Sequence, residues 1–273
     1  MYGCEIWGYG NVDTLERVQL KFFKYIFKLK KSTPSHMVYG ELGITPVSVD
    51  IKNRIVAFWA RLIENKNNAV NNTLKLSTRV YTMIYNLHTN RNLRSQWLDN
   101  TMHLLNSSGY PGIWDTQQFV HYKWLITTFK QKSKDIFIQT WNAEINRTSN
   151  SNLYKFIHTS FCQRKYIRIL NPFYCRVFLS FITRNHRLPI ETGRWRSIPV
   201  NERKCELCND LGDEYHYILI CPQFTIHRKK YIKEYYYKRP NMVKFLELID
   251  TNNNSEIKNL AILMNIVMNV IKT

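Results

Sequence analysis

Apolar residues recur at helical spacing along most of the chain. Leu15, Val18, Phe22 and Ile26 form one stripe behind Asp13 and Glu16, a pair with capping-box spacing. They predict a helix from Asp13 that ends in the basic run Lys28, Lys30 and Lys31. Pro34 and Gly40 then mark a turn region. Ile51, Ile55, Phe58, Trp59 and Leu62 place a second helix over about 49–64. The Asn-rich segment 65–73 has no period and reads as a surface loop. Helical patterns resume at 74–88, 95–105 and 117–146, with a loop (SSGYPGIW) from Ser107 and a polar break (NRTSNSN) from Asn146. These breaks divide the chain into segments 1–64, 65–150 and 151–273.

The last segment opens with a helical pattern over 153–170. Asn171 is then placed to cap a helix whose first residue is Pro172. Tyr174, Val177, Phe178 and Phe181 face a core, with Arg176 and Arg187 opposite and Arg184 at the border. RLPIETGRWRSIP reads as a turn-rich connector, with Gly193 as a left-handed turn residue and Glu191 paired to a nearby Arg. HRKKYIKEYYYKR predicts one basic helix, packed through Tyr231, Ile232, Tyr235 and Tyr236 and stopped by Pro240. Residues 256–273 predict a final amphipathic helix. The fold class is therefore mostly α, a helical array.

Composition agrees with that class. With 273 residues, 44% hydrophobic, 9 Gly and 8 Pro, the chain can bury a core and lacks the turns of a β-sandwich. Thirty-nine Lys and Arg against 20 Asp and Glu leave a net charge of +19, which favours a polyanionic partner. LAILMNIVMNVI, from Leu260, is broken by two Asn and too short to span a bilayer, and MYGCEIWGYG lacks the regions of a secretory signal. An intracellular location, nuclear or cytoplasmic, and no membrane partner are expected. In a reducing compartment, clustered cysteines point to a metal site before a disulfide.

Three of the six cysteines cluster. CELCNDLGDEYHYILIC arranges Cys205, Cys208, His216 and Cys221 as Cys-x2-Cys-x7-His-x4-Cys. Three thiolates and one imidazole form a closed tetrahedral set, so the expected cofactor is one structural Zn2+ with no position open for substrate. Asn209, Asp210 and Gly212 supply turn chemistry, and Asp213 can cap a short helix carrying His216. Cys221 lies five residues after His216, so that helix must end or distort there; Pro222 favours this. Arg203 and Lys204 offset the thiolate charge. A disulfide is the rival reading, and His186 and His227 are the nearest other imidazoles. The cationic residues flanking the array are the candidate nucleic-acid contacts: Arg184, Arg187, Arg194, Arg196, Arg203, Lys204, Arg228, Lys229 and Lys230. Trp195, between two arginines, is the candidate stacking residue.

HRLPIETGRW, ERKCELC and DEYHYILICP together resemble the C-terminal zinc-binding region of non-LTR (LINE-like, jockey-type) retrotransposon reverse transcriptases. In that family an Ile-Glu-x-Gly-Arg block, here Ile190 to Arg194, precedes the Cys-x2-Cys pair. The family's metal ligands fall on Cys205, Cys208, His216 and Cys221. YGCEIWGY, VYGELGITP and SGYPGIWD are similar to more upstream stretches, so the resemblance covers most of the chain. It implies a role in holding element RNA or target DNA near the polymerase, and the reverse transcriptase core as a further partner. Polymerase chemistry needs paired metal-binding aspartates. None of the eight Asp here are adjacent. The expectation is a non-enzymatic, zinc-stabilised nucleic-acid-binding tail, with a protein-docking module as the alternative.

Overall fold

The computed structural model describes residues 2–10, 12–68, 74–90, 93–147, 152–158 and 160–271. Among them every regular element is helical, apart from a single isolated β-bridge. No described helix is long and apolar enough to cross a membrane. The chain forms two units, one from Met1–Gln19 and Thr45–Asn142, the other from Leu20–Ile44 and Ala143–Thr273. The second unit thus gathers part of the first sequence segment with the C-terminal one.

The first unit centres on α4 (Val47–Asn67), where Ile51, Ile55, Trp59 and Leu62 are buried as their period predicts. Around it lie α1 (Cys4–Trp7), α5 (Leu76–Thr89), α6 (Gln96–Ser107) and α7 (Pro111–Thr116). The stretch from Ser107 was expected as a loop. Instead Pro111 starts α7, where its fixed φ and missing N–H suit the first turn. That helix stacks Trp114 on Trp59 with ring centres 5.9 Å apart. Tyr81 links the same core: its hydroxyl accepts the Trp59 indole N–H at 3.1 Å and donates to Gln117 at 2.5 Å. The long α8 (Tyr122–Arg147) follows, contributing Leu125 and Phe129 to this core.

The helix predicted from Asp13 is α2 (Asp13–Ile26); Leu15 of its apolar stripe packs on the first unit's core, whereas Val18, Phe22 and Ile26 are exposed. Beside Leu15 on the same turns, Gln19 and Glu16 accept the Val47 and Ser48 N–H groups at 3.2 and 3.4 Å, capping the start of α4. The helix stops where Lys28 turns left-handed (φ 52°), letting Leu29 and Lys28 donate back to the Lys24 and Tyr25 carbonyls.

In the second unit, the expected turn at 34–40 is α3 (Ser35–Leu42), buried from His36 onward. Gly43, not Gly40, ends it: φ is +62°, and a Cβ there would stand 2.1 Å from the Gln163 backbone nitrogen. The single helix expected over 153–170 is two, α9 (Asn152–Ile157) and α10 (Lys165–Ile169). Arg164 breaks the span by donating its N–H to the Glu41 carbonyl. Next, α11 (Pro172–Ile182) starts as predicted, with the Asn171 side chain accepting the Tyr174 N–H at 2.9 Å. Phe178 and Phe181 are buried, whereas Tyr174 and Val177 are only half-buried.

The connector contains α12 (Pro189–Trp195). The basic helix after the array is split into α13 (Thr225–Tyr231) and α14 (Glu234–Tyr237), and Tyr235 is exposed. An unpredicted α15 (Met242–Ile249) starts at Asn241, whose side chain caps Lys244. The final helix, α16 (Asn254–Val270), packs against α10, α11, α13 and α15 through Leu260, Leu263, Met264 and Val267. The proposed breaks at 65–73 and from Asn146 lie largely outside the described residues; α4 continues through Asn67.

Candidate metal centre

Two local structures bring the four ligands together. The first is a tight hairpin. Lys204 and Leu211 form the isolated bridge, Cys205 N–H donates to the Asp210 carbonyl at 2.7 Å, and Gly212 N–H donates to the Arg203 carbonyl at 2.8 Å. Asn209 takes the left-handed conformation (φ 60°) that Asn tolerates, closing the turn that presents Cys205 and Cys208. The second is a π-helical turn, His216–Ile220. Asp213 caps its entry, accepting the His216 N–H at 2.8 Å. The five-residue His216–Cys221 spacing needed a distortion, and the π-turn supplies it: Cys221 N–H donates to the His216 carbonyl at 2.8 Å, an i→i+5 bond. Pro222 then starts the next turn.

The four ligand atoms all lie within 4.8 Å of one another. Cys205 and Cys221 sulfurs are 4.0 Å apart, and Cys208 Sγ is 3.1 Å from His216 Nε2. Metal bonds of about 2.3 Å to sulfur and 2.0 Å to nitrogen give tetrahedral edges of about 3.8 and 3.5 Å. The cluster therefore has the size of a one-ion site, and these residues can hold one metal ion. None of the six cysteines is in a disulfide. His216 Nδ1 points toward Asp210 at 4.0 Å, placing a carboxylate behind the ligand imidazole.

The electrostatics favour a cation at the centre. Burial pushes the Cys221 thiol up to about 12, and the neighbouring sulfurs add to the effect. Cys208 is raised for the same two reasons. Cys205 moves the other way: burial opposes its thiolate, but the Tyr217 hydroxyl and the Leu207 and Cys208 N–H groups outweigh burial. One thiolate is stabilised and two more are resisted, a balance that a bound divalent cation reverses. Burial lowers His216, which keeps its imidazole neutral and able to ligate.

The Ile-Glu-x-Gly-Arg block braces this centre. Arg203, immediately before the hairpin, donates to the Ile198 carbonyl at 2.9 Å and the Ile190 carbonyl at 3.1 Å. Ile190 N–H donates to the Gly212 carbonyl at 3.0 Å. Gly193 is helical and not left-handed; its role is room, since a Cβ would lie 2.5 Å from Arg203 Cγ. Gly193→Ala should cost about 1–3 kcal/mol by displacing Arg203. A lower unfolding midpoint with weakened metal retention is the expected result, read by thermal melts and metal competition. Glu191 is fully buried and pairs with both Arg184 and Arg194, each at 2.5 Å, as an acid beside arginines predicts.

Several expected nucleic-acid contacts are placed otherwise. Arg228 is buried, donating to the Ile218 and Cys221 carbonyls at 2.8 and 2.9 Å; it clamps the end of the π-turn and offers no surface. Arg184 is mostly buried against Glu191 and Glu214, and Arg203 is taken up by backbone carbonyls. Arg187, Arg196, Lys204, Lys229 and Lys230 are exposed. Arg194 is half-buried, and Trp195, the last residue of α12 and not a loop residue, is 46% exposed. His186 is no ligand: it is buried and hydrogen-bonded to Glu214 at 3.0 Å. Tyr217 and Glu214 gave no signal in the sequence, because their roles rest on tertiary neighbours. No protein-family model, curated protein or solved structure matches the chain.

Proposed function

We propose that this chain is a zinc-stabilised nucleic-acid-binding tail of a retrotransposon-type reverse transcriptase, without catalytic residues of its own. The observation that carries the reading is the convergence of Cys205, Cys208, His216 and Cys221 to one-ion dimensions in a chain of net charge +19. Three sulfurs and one imidazole suit zinc, and a full ligand set leaves no position for an activated water. Zinc here is scaffolding: it fixes the hairpin to the π-turn, and so fixes the cations around them. The partner is RNA or DNA, with a preference for single strands because aromatic rings accompany the cations.

If Arg187, Arg196, Lys204, Lys229 and Lys230 each meet one phosphate, log affinity should fall with log salt at a slope of about −3.5. Fluorescence anisotropy of labelled single-stranded RNA and DNA, from about 50 to 200 mM salt, measures it. A zinc-loaded, folded chain that shows no binding at the low-salt end contradicts the reading. A docking module is the second reading, favoured by exposed apolar and aromatic residues on α2, where Val18, Phe22 and Tyr25 are 59%, 58% and 83% exposed. Tight, salt-insensitive binding to a reverse transcriptase core would favour it.

A further inference from the structure

The basic run after α2 is far in sequence from the metal centre, yet one of its lysines meets α12. Lys30 Nζ stands 3.5 Å above the centre of the Trp195 ring. Asn185, in the turn after α11, fixes this approach. Its side-chain oxygen accepts the Lys30 N–H at 3.2 Å and the Thr33 hydroxyl at 2.9 Å, while its amide nitrogen donates to the Thr183 hydroxyl at 2.7 Å. Two more cations join the group. Burial lowers the Lys30 pKa first; Arg187 and Arg194 lower it further, and Glu191 opposes them. Glu191 acts on Lys30 more strongly than either arginine, and this single buried carboxylate is also shared between Arg184 and Arg194. The result is three cations against one shared carboxylate, with a half-exposed indole, gathered from two distant stretches of chain.

With one carboxylate against three cations the group keeps an excess of positive charge, which favours a further anion. A lysine head is a compact charge on a flexible stem, so Lys30 can leave the indole for an anion nearby. That movement uncovers a flat aromatic face beside the captured anion. Phosphate and base are joined at this spacing in a nucleic-acid strand, whereas an acidic peptide would use the cations and leave the ring idle.

We propose that Lys30, Arg187, Arg194 and Trp195 form a composite subsite for one nucleotide of a single strand. Its phosphate lies among the three cations and its base stacks on the indole face that Lys30 vacates. The inference rests on the nucleic-acid reading above and adds to it a residue, Lys30, from outside the metal region.

The test uses the full zinc-loaded chain and oligouridylate, with affinity, salt slope and indole fluorescence read together. Lys30→Ala should reduce the magnitude of the salt slope by up to about 0.7, the share of one phosphate on a single strand, while Lys30→Arg keeps it. Oligouridylate should quench indole emission in the parent chain, and Trp195→Phe should abolish the quench. Lys229→Ala with Lys230→Ala should lower the slope and leave the quench intact. The parent melting temperature in Lys30→Ala, an exposed position, confirms folding. If the chain binds oligouridylate but Lys30→Ala leaves slope and affinity unchanged, the subsite is overturned and the broader reading survives. A quench that persists in Trp195→Phe, or polyglutamate that competes as well as oligouridylate of equal charge, also overturns it. No binding at low salt overturns both readings.

Discussion

Cys205→Ser is expected to release the metal and unfold the segment from Arg203 to Cys221. Cys205 is buried, and its backbone closes the hairpin through Asp210 and Asn209. Its sulfur also receives the Tyr217 hydroxyl, so it couples the hairpin to the π-turn. Structural zinc of this kind is worth about 10–16 kcal/mol, because the unfolded chain has no preformed site. A variant that releases the ion forfeits that whole contribution, as chelation does. Such a loss is a large fraction of a typical domain's stability. Hydrogen exchange should show lost protection at Cys205, Gly212 and Cys221 N–H, whose partners lie within the segment. Amides of α4, in the other unit, should keep theirs. Cys175→Ser serves as the control, since Cys175 is buried in α11 and belongs to no ligand group. Chelation of the parent chain should reproduce the Cys205→Ser exchange pattern.

Glu191→Ala should cost about 3–5 kcal/mol without touching a ligand. The carboxylate is fully buried and holds Arg184 from one side and Arg194 from the other. Its removal strands the mostly buried Arg184 guanidinium against Glu214, which His186 already shares. Truncating one partner of a buried pair leaves an uncompensated charge, and that penalty exceeds the pair's own net worth. The damage should reach the metal indirectly, since α12 braces the hairpin through Ile190 and Arg203. Thermal unfolding should show a large drop in midpoint, and Glu191→Gln should recover part of it by keeping hydrogen-bond acceptance. A Glu191→Ala midpoint equal to that of the parent contradicts this account of the block.

Local signals were the legible ones. Asn171 before Pro172 marked a helix start because the cap and the fixed φ are properties of adjacent residues. The metal array was legible because ligand spacing is local, and the distortion at Cys221 followed from its five-residue offset and Pro222. What stayed hidden depends on distant partners. The α2 stripe has good period, yet only Leu15 finds a core, while Val18, Phe22 and Ile26 are exposed. Gly40 looked like punctuation but lies inside a buried helix, because Gly43 three residues later meets Gln163. Arg228 looked like a surface cation in a basic run, and two backbone carbonyls took it inside. Lys30 looked like a helix-ending charge, and only folding sets it over Trp195.

The central claim is that Cys205, Cys208, His216 and Cys221 hold one zinc ion as structure. X-ray absorption on the purified full chain, with metal content measured on the same sample, tests it most directly. The account predicts one zinc per chain, with three sulfurs at about 2.3 Å and one nitrogen at about 2.0 Å. A folded chain without bound metal, or a shell of oxygens around the ion, would contradict it.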